Sequence, residues 1–431
     1  MSRSSFRAAW LLLCLLSPTV CAGEEFGFNL AEFEKKELEW GGYLELKGEH
    51  LELHENSALG ILRFYRDRPS TLDRFSTTLQ LDGSFSRGAA TLNWVLQGSA
   101  AQDDADWEDT AEVFEGYASL KASPHATFDL GKKVFKWGKG YAWNPAGFID
   151  RAKDPDDPEQ ALEGFIGAGA DLIKSFAGPL RNLAFTAVIL PVWRGINEDF
   201  GDRDQVNLAA KLYLLYRDTD LDFIWYTGNS RSSRYGFDFS RNLATNLEIH
   251  GEVAHIPKQP KNILQPDNRV ELREVTDTSY LLGVRYLGEN DLTTIIEYYH
   301  NDDGYSEEEL GRFYALVAEG YSRFLSSGST TLLDQAAGLS QLYGRPQAGR
   351  NYLYARAVQK EPFDLLYFAP AITAIVNLDD RSFSVSPEAV YTGFTNWEMR
   401  LRFSLINGGY HTEHAEKQNS SRLELRLRYF F

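Results

Sequence analysis

The side chains able to do chemistry in this sequence of 431 residues are charges set two positions apart. Glu398, Arg400 and Arg402 form one such run and Glu424, Arg426 and Arg428 another, with Glu45, Lys47 and Glu49 nearer the start. Lys211, and the pair Glu248 and Glu252, repeat the spacing. Residues two apart share one face of a β-strand, so each run is a charged stripe. A second group is acidic and lies among prolines: Asp154, Asp156 and Asp157 in Asp154-Pro155-Asp156-Asp157-Pro158-Glu159. Arginines on a wall opposite carboxylates on a loop would set a transverse field that orders water and selects polar or anionic solutes. The alternative is that Glu398, Glu424, Glu45 and Glu49 neutralise the arginines within the wall, since buried charges normally find partners.

Bond-making chemistry is not indicated. The sequence has no H-E-x-x-H, G-x-S-x-G, Walker A loop or C-x-x-C, so neither an enzyme nor a cofactor is expected. His411 and His414, like His250 and His255, read as solvent-facing pairs rather than metal ligands. The oxygen-rich runs Asn301-Asp302-Asp303-Gly304 and Glu198 to Asp204 could hold Ca²⁺ or Mg²⁺. They read better as an acidic surface that shares divalent ions, and no resident metal is expected. A net charge of −17 argues against nucleic acid as a partner.

These charges need elements that hold them at alternate positions, and strands do so. Residues 1–22 read as a secretory signal, with Arg3 and Arg7 before the apolar stretch Trp10–Leu16 and with Val20-Cys21-Ala22 as cleavage site. Both cysteines, Cys14 and Cys21, lie in that segment, and Pro18-Thr19-Val20 is a poor lipobox for attaching lipid to Cys21. Residues 23–38 read as a short periplasmic segment, too few for a plug domain, and 39–431 as the main body. No later apolar run approaches the roughly 20 residues a membrane-spanning helix needs, whereas a spanning strand needs only about 9 to 11 alternating ones.

Alternation recurs along the chain. Val206, Leu208, Ala210 and Leu212 alternate with Asn207, Ala209 and Lys211, while Trp397, Met399, Leu401, Phe403 and Leu405 alternate with the charges named above. The pattern predicts strands near 40–50, 73–86, 90–101, 109–121, 125–137, 165–177, 181–191, 205–217, 219–228, 232–240, 243–254, 277–287, 291–300, 350–359, 366–377, 381–391, 395–406 and 420–431. That is an all-β transmembrane antiparallel barrel of about 18 strands, or 16 if 232–240 and 366–377 are misread. Long connections (51–72, 138–164, 192–204, 255–276, 301–349, 407–419) follow odd strands and short turns follow even ones, as a barrel with periplasmic turns and external loops requires. Within 301–349, Ser306 and the acids after it start a helix, and a second runs from Thr331 to Leu342, an insertion that either lids the pore or caps the rim.

The final run Arg422–Phe431, taken with the signal, resembles the C-terminal strand of Gram-negative outer-membrane β-barrels. The resemblance implies that Leu427, Tyr429 and Phe431 are read by the barrel assembly machinery and that the protein sits in the outer membrane against lipid and lipopolysaccharide. In general porins the third external loop folds into the lumen, so the resemblance makes 138–164 the constriction candidate. The run Trp137-Gly138-Lys139-Gly140-Tyr141-Ala142-Trp143-Asn144-Pro145 also resembles a motif of proteobacterial barrels that include exporters and porin-like proteins; a rigid turn capping a strand would explain it equally. The expected function is a porin-like channel for passive passage of small polar solutes. The alternatives are the barrel of a polymer or lipid export system, or a sheath around a periplasmic electron-transfer protein, with a homo-oligomer or a periplasmic partner as further possibilities.

Overall fold

A computed structural model describes residues 37–103, 106–160 and 162–431. The predicted signal and nearly all of the 23–38 segment lie outside the described residues. From Leu38 to Phe431 the chain forms one unit built on eighteen antiparallel strands. They are β1 (Leu38–Leu53), β2 (Thr71–Arg87), β3 (Ala90–Asp103), β4 (Trp107–Ser123), β5 (Ala126–Lys133), β6 (Phe165–Ser175), β7 (Leu180–Val192), β8 (Gln205–Tyr216), β9 (Thr219–Thr227), β10 (Arg234–Ala244), β11 (Leu247–Leu264), β12 (Val270–Leu287), β13 (Leu292–His300), β14 (Asn351–Gln359), β15 (Phe368–Asn377), β16 (Phe383–Tyr391), β17 (Trp397–Asn407) and β18 (Asn419–Phe430). Each pairs with its sequence neighbours, and β1 also pairs with β18, so the sheet closes on itself with no edge. The two weakest predicted strands are β10 and β15, so the count is 18 rather than 16.

Alternation fixes the two faces. Val206, Leu208, Leu212, Met399, Leu401, Phe403, Leu405, Leu423 and Leu425 are exposed on the outside, while Asn207, Ala209, Glu252, Arg402 and Glu424 between such positions are buried inside. A continuous exposed apolar surface on a closed sheet is tolerable only against lipid. No helix among the described residues is long and apolar enough to cross a membrane, and the strands supply the crossing. Aromatic rings gather at the end bearing the short turns, where Trp40 lies 6.3 Å from Phe431 and Trp397 5.1 Å from Tyr429.

Three elements depart from expectation. The loop predicted at 255–276 is mostly strand, because β11 runs on to Leu264 and β12 starts at Val270; a register shift between Ile256 and Gln259 absorbs Pro257 and lets pairing resume. β5 ends at Lys133 rather than 137, because the amides of Phe135, Lys136 and Trp137 donate instead to the Asp150 carboxylate, at 2.9, 3.0 and 2.7 Å. A short helix α1 (Ala58–Phe64), capped by Ser57, interrupts the first external loop. In the seventh, α2 (Glu307–Ser327) opens with a capping box between Ser306 and Glu309, and α3 (Thr331–Tyr343) follows. Leu310, Phe313, Leu316 and Val317 of α2 pack with Leu333, Ala336 and Leu339 of α3, with Ala58 and Ile61 of α1, and with Leu264 at the end of β11.

Candidate permeation site

The connection 134–164 between β5 and β6 enters the barrel, and its sequence dictates where it stops. Its neck docks through backbone amides on two wall carboxylates. Glu252 of β11 accepts hydrogen bonds from the amides of Lys139, Gly140 and Ala146, and Glu297 of β13 accepts from those of Tyr141 and Ala142, at 2.5 and 2.8 Å. Glu252 is 1% exposed and Glu297 0%. Each of these carboxylates would be costly to bury alone and is solvated by peptide dipoles instead. His250 adds a 2.8 Å contact to Glu297, and the Lys139 ammonium lies 3.1 Å from Asp222 on β9.

This docking explains the two glycines of the motif. Gly138 has φ +98°, and a Cβ there would stand 2.8 Å from Glu252 Oε1; a Cβ on Gly140 would stand 2.3 Å from the Trp143 carbonyl. The apolar residues of the loop pack on the inner face of the barrel. Trp137, Phe148 and Ile149 pack on Val188, Leu190, Ala209, Ile224 and Ala254 of β7 to β11. Trp143 stacks on Tyr299 at 5.1 Å and packs with Leu281, Tyr352 and Tyr354.

The tip, Asp154 to Gln160, meets the opposite wall. Arg402 donates to the Asp156 carbonyl at 2.9 Å, Arg426 to the Asp157 carboxylate at 3.0 Å, and Arg400 stands 3.8 Å from Asp157. Burial pushes the Asp157 carboxyl up, but Arg426, Arg400 and Arg402 together outweigh it and hold the group below the ordinary carboxylate value. Tyr141, which donates to Glu159 at 3.1 Å, ties neck to tip, and burial followed by the Glu159 charge pushes its phenol up to about 12.

Between tip and wall lies a cavity of about 420 Å³. Its polar lining includes Ser76, Thr78 and Gln80 of β2, Gln97 of β3, the tip acids and the arginines of β17 and β18. Those arginines also have wall partners: Arg426 with Glu424 at 3.0 Å, Arg428 with Glu45 at 2.6 Å, Arg400 with Glu398 at 3.6 Å, and Arg402 with Glu388 at 2.7 Å. Seven carboxylates and six cations line this eyelet, and its arginines both have carboxylate partners in the wall and face an acidic loop tip.

The remaining candidates fall elsewhere. Lys211 lies 4.0 Å from Asp222 and 5.8 Å from the Trp137 ring centroid, behind the docked loop. Glu248 accepts from Ser240 at 3.3 Å, and Glu252 holds the loop rather than facing the eyelet. Leu427, Tyr429 and Phe431 are at the short-turn rim, on or just beyond β18. The reading of the histidines as solvent-facing is corrected for two of them, since His250 is buried on Glu297 and His414 is buried against Ser382 at 2.9 Å. Asp303 pairs with Arg345 at 2.9 Å and Asp302 accepts from the Thr278 amide at 2.9 Å; among the described residues no group of three His, Cys, Asp or Glu could hold a metal. Glu297, Glu388, Asp150 and Asp222 were not foreseen. Glu297, in the run Thr-Thr-Ile-Ile-Glu297-Tyr-Tyr-His, has the inward parity, which was the one available signal.

Neither a family model nor a curated protein matches the sequence. Solved structures do match the fold. Acinetobacter baumannii OccAB1 aligns at 10% identity over 91% of this chain and 96% of its own, with TM-score 0.54. Pseudomonas aeruginosa OccK8 (OprE) aligns at 10% identity over 91% and 98%, with TM-score 0.53. P. aeruginosa OccK2 (OpdF), crystallised in complex with glucuronate, aligns at 13% identity over 91% and 96%, with TM-score 0.51. Closed by the β1–β18 pairing and carrying its lipid belt outside and its charges inside, the chain has the fold of the Occ outer-membrane porins.

Proposed function

We propose that the protein is a passive outer-membrane channel for small polar solutes, with the eyelet between Asp154–Gln160 and Arg400, Arg402, Arg426 and Arg428 as its constriction. The observation that carries this reading is the polar cavity of about 420 Å³ between the loop tip and the arginine wall, with the neck and middle of the loop packed on the opposite wall through Trp137, Trp143, Phe148 and Ile149. A cavity of that size admits a small solute, and a lumen crossed by a loop tied to both walls is a poor sheath for a folded protein. The OccK2 complex with glucuronate supports a small polar solute as the class of cargo. Water and ions cross by diffusion; the wall exchanges part of a solute's hydration shell for fixed dipoles and charges.

Single-channel recording of the refolded protein in a planar bilayer tests this. The expected result is a steady, ohmic conductance that rises when residues 154–160 are replaced by a short Gly-Ser turn. A folded barrel that conducts in neither form overturns the proposal.

A further inference from the structure

The external loop 408–418, between β17 and β18, joins parts of the mouth that come from distant stretches of the chain. On one side the Glu416 carboxylate accepts from the Ala58 amide of α1 at 2.6 Å, the Glu416 carbonyl accepts from the Leu59 amide at 3.2 Å, and the Ala415 carbonyl accepts from His54 at 2.6 Å. On the other side the Glu413 carboxylate accepts from the Ala348 amide after α3 at 3.0 Å, from Asn377 at the end of β15 at 2.7 Å, and from the Tyr352 hydroxyl of β14. Between these two grips sits His414, 2% exposed and bound to Ser382 in the turn between β15 and β16.

The bonds around Ser382 decide which ring nitrogen of His414 carries the hydrogen. A hydroxyl has one proton to give. Asp380 Oδ1 lies 2.7 Å from Ser382 Oγ, and an ionised carboxylate only accepts, so the hydroxyl donates there. Ser382 Oγ therefore accepts from the His414 amide at 3.2 Å and from Nδ1 at 2.9 Å. Nδ1 bears the hydrogen and Nε2 the lone pair, and Nε2 is buried with no hydrogen-bond partner. A proton added to the ring goes to Nε2, where no acceptor meets it, and a buried cation without a partner is costly.

The neighbouring charges are already engaged or repel. Asp380 is held by Ser382 and by the Glu413 amide at 2.6 Å, while Glu413 and Glu416 accept the bonds named above. His411, on the same loop, lies against Tyr410 with ring centroids 3.8 Å apart and 6.0 Å from Tyr314 of α2. Burial first, and then the Lys417 charge, hold His414 well below the ordinary imidazole value of 6.5. A base lowered in this way stabilises the closed loop in full above its ordinary value, and that contribution is lost as pH falls below it. Glu413, raised by burial, acts in the opposite sense, because it takes up a proton more readily in the closed loop than in a released one.

We propose that the 408–418 loop is an acid-released clasp of the external mouth and that His414 is its trigger. A proton on Nε2 drives the ring out from behind Ser382, and the grips on α1 and on the segment after α3 open with it. The mouth is then tied down in neutral surroundings and loosened in acid ones. The inference stands on the packing of the external loops and does not depend on the channel reading.

The test puts one nitroxide label on the full chain through Gly409→Cys, with Cys14→Ser and Cys21→Ser so that no other thiol is labelled. Gly409 is exposed, and the nearest atom to a Cβ there is Thr412 Cγ2 at 3.8 Å. The paramagnetic resonance line shape is followed in detergent from about pH 8 to 4. The mobile fraction should rise about fivefold as pH falls below the ordinary imidazole value, with heat-modifiable migration on gels showing the barrel still closed. His414→Leu should stay immobile throughout. Lys417→Gln, which keeps the imidazole and removes the charge that lowers it, should need a lower pH for the same release. A parent line shape that ignores pH, or release at the same pH in His414→Leu, overturns the proposal. If His414→Leu is already mobile at neutral pH, Lys417→Gln decides, and an unshifted transition overturns the trigger. A second label, at exposed Leu325→Cys on α2, should not change with pH. A parallel change there would mean that the whole helical cap melts in acid, which overturns the clasp.

Discussion

At the scale of single residues, the eyelet depends on how few charges are left over. Asp157 is the one tip carboxylate held by Arg426 and Arg400 together, so Asp157→Asn removes the acid and leaves the two guanidiniums with only their wall partners while barely changing shape. Permeability to anions relative to cations should rise by about threefold, the order expected when a fixed charge in a narrow pore is deleted; an unchanged reversal potential would show that Asp157 does not face the ion path. The same residue sets an acid limit. Its carboxyl titrates below the ordinary value of 3.8, so the contribution of its ion pairs is fully present above that pH and is lost only as pH falls through the lowered value. The part of conductance and selectivity set by Asp157 should therefore be flat from about pH 8 to 5 and change below about pH 4, whereas Asp154 beside it, pushed up by burial and then by Asp156, loses its charge above the ordinary value. A titration centred near neutrality would assign the gating charge to another group.

At the scale of elements, the determining contact is a loop bound to its own barrel as a ligand would be. Five amides of the Lys139–Ala146 neck converge on Glu252 and Glu297, which lie 106 to 156 residues further along the chain than the amides they accept from. Replacing each carboxylate by the isosteric amide keeps volume but puts an N–H₂ against an N–H donor and removes the charge. Hydrogen bonds to a charged group contribute about 1.5–3 kcal/mol each, so Glu252→Gln/Glu297→Gln should undock the neck while the strand ladder stays closed. The expected record is a noisy, multi-level conductance in place of one level. A quiet wild-type level would mean that the Trp143 and Trp137 packing alone positions the loop. The limits of sequence reading lie at the same contact. Strand number, parity and both helices of the seventh loop were legible, because alternation and capping are local. The continuation of β11 past Pro257 was hidden because proline reads as a strand breaker unless the bulge is known, and α1 is too short at 7 residues for periodicity to register. Alternation assigned Glu252 to the lumen, but it cannot tell what stands opposite across the barrel. A loop support therefore read as a pore charge, and Glu297 and Glu388 went unnoticed.

At the scale of the whole molecule, two insertions compete to limit flow, and their attachments separate them. The 134–164 loop touches β9, β11 and β13 on one side and β17 and β18 on the other, so it crosses the lumen. The α2–α3 hairpin packs on α1, on Leu264 and on the loops around them, and Glu413 of the 408–418 loop ties the segment after α3 to the barrel, accepting from the Ala348 amide at 3.0 Å and from Asn377 at the end of β15 at 2.7 Å. For conductors in series the narrowest stretch carries most of the resistance. Deleting residues 306–342 should then alter conductance by less than about twofold, while replacing 154–160 should raise it by more, the difference expected between a rim cap and a constriction. The deletion uncovers Ala58, Ile61 and Leu264 but removes no strand pairing, so the barrel should still migrate as a heat-modifiable band. If instead the intact protein is silent and the 306–342 deletion opens it, the hairpin is the closing element, and the eyelet on the arginine wall is only the second barrier a solute meets.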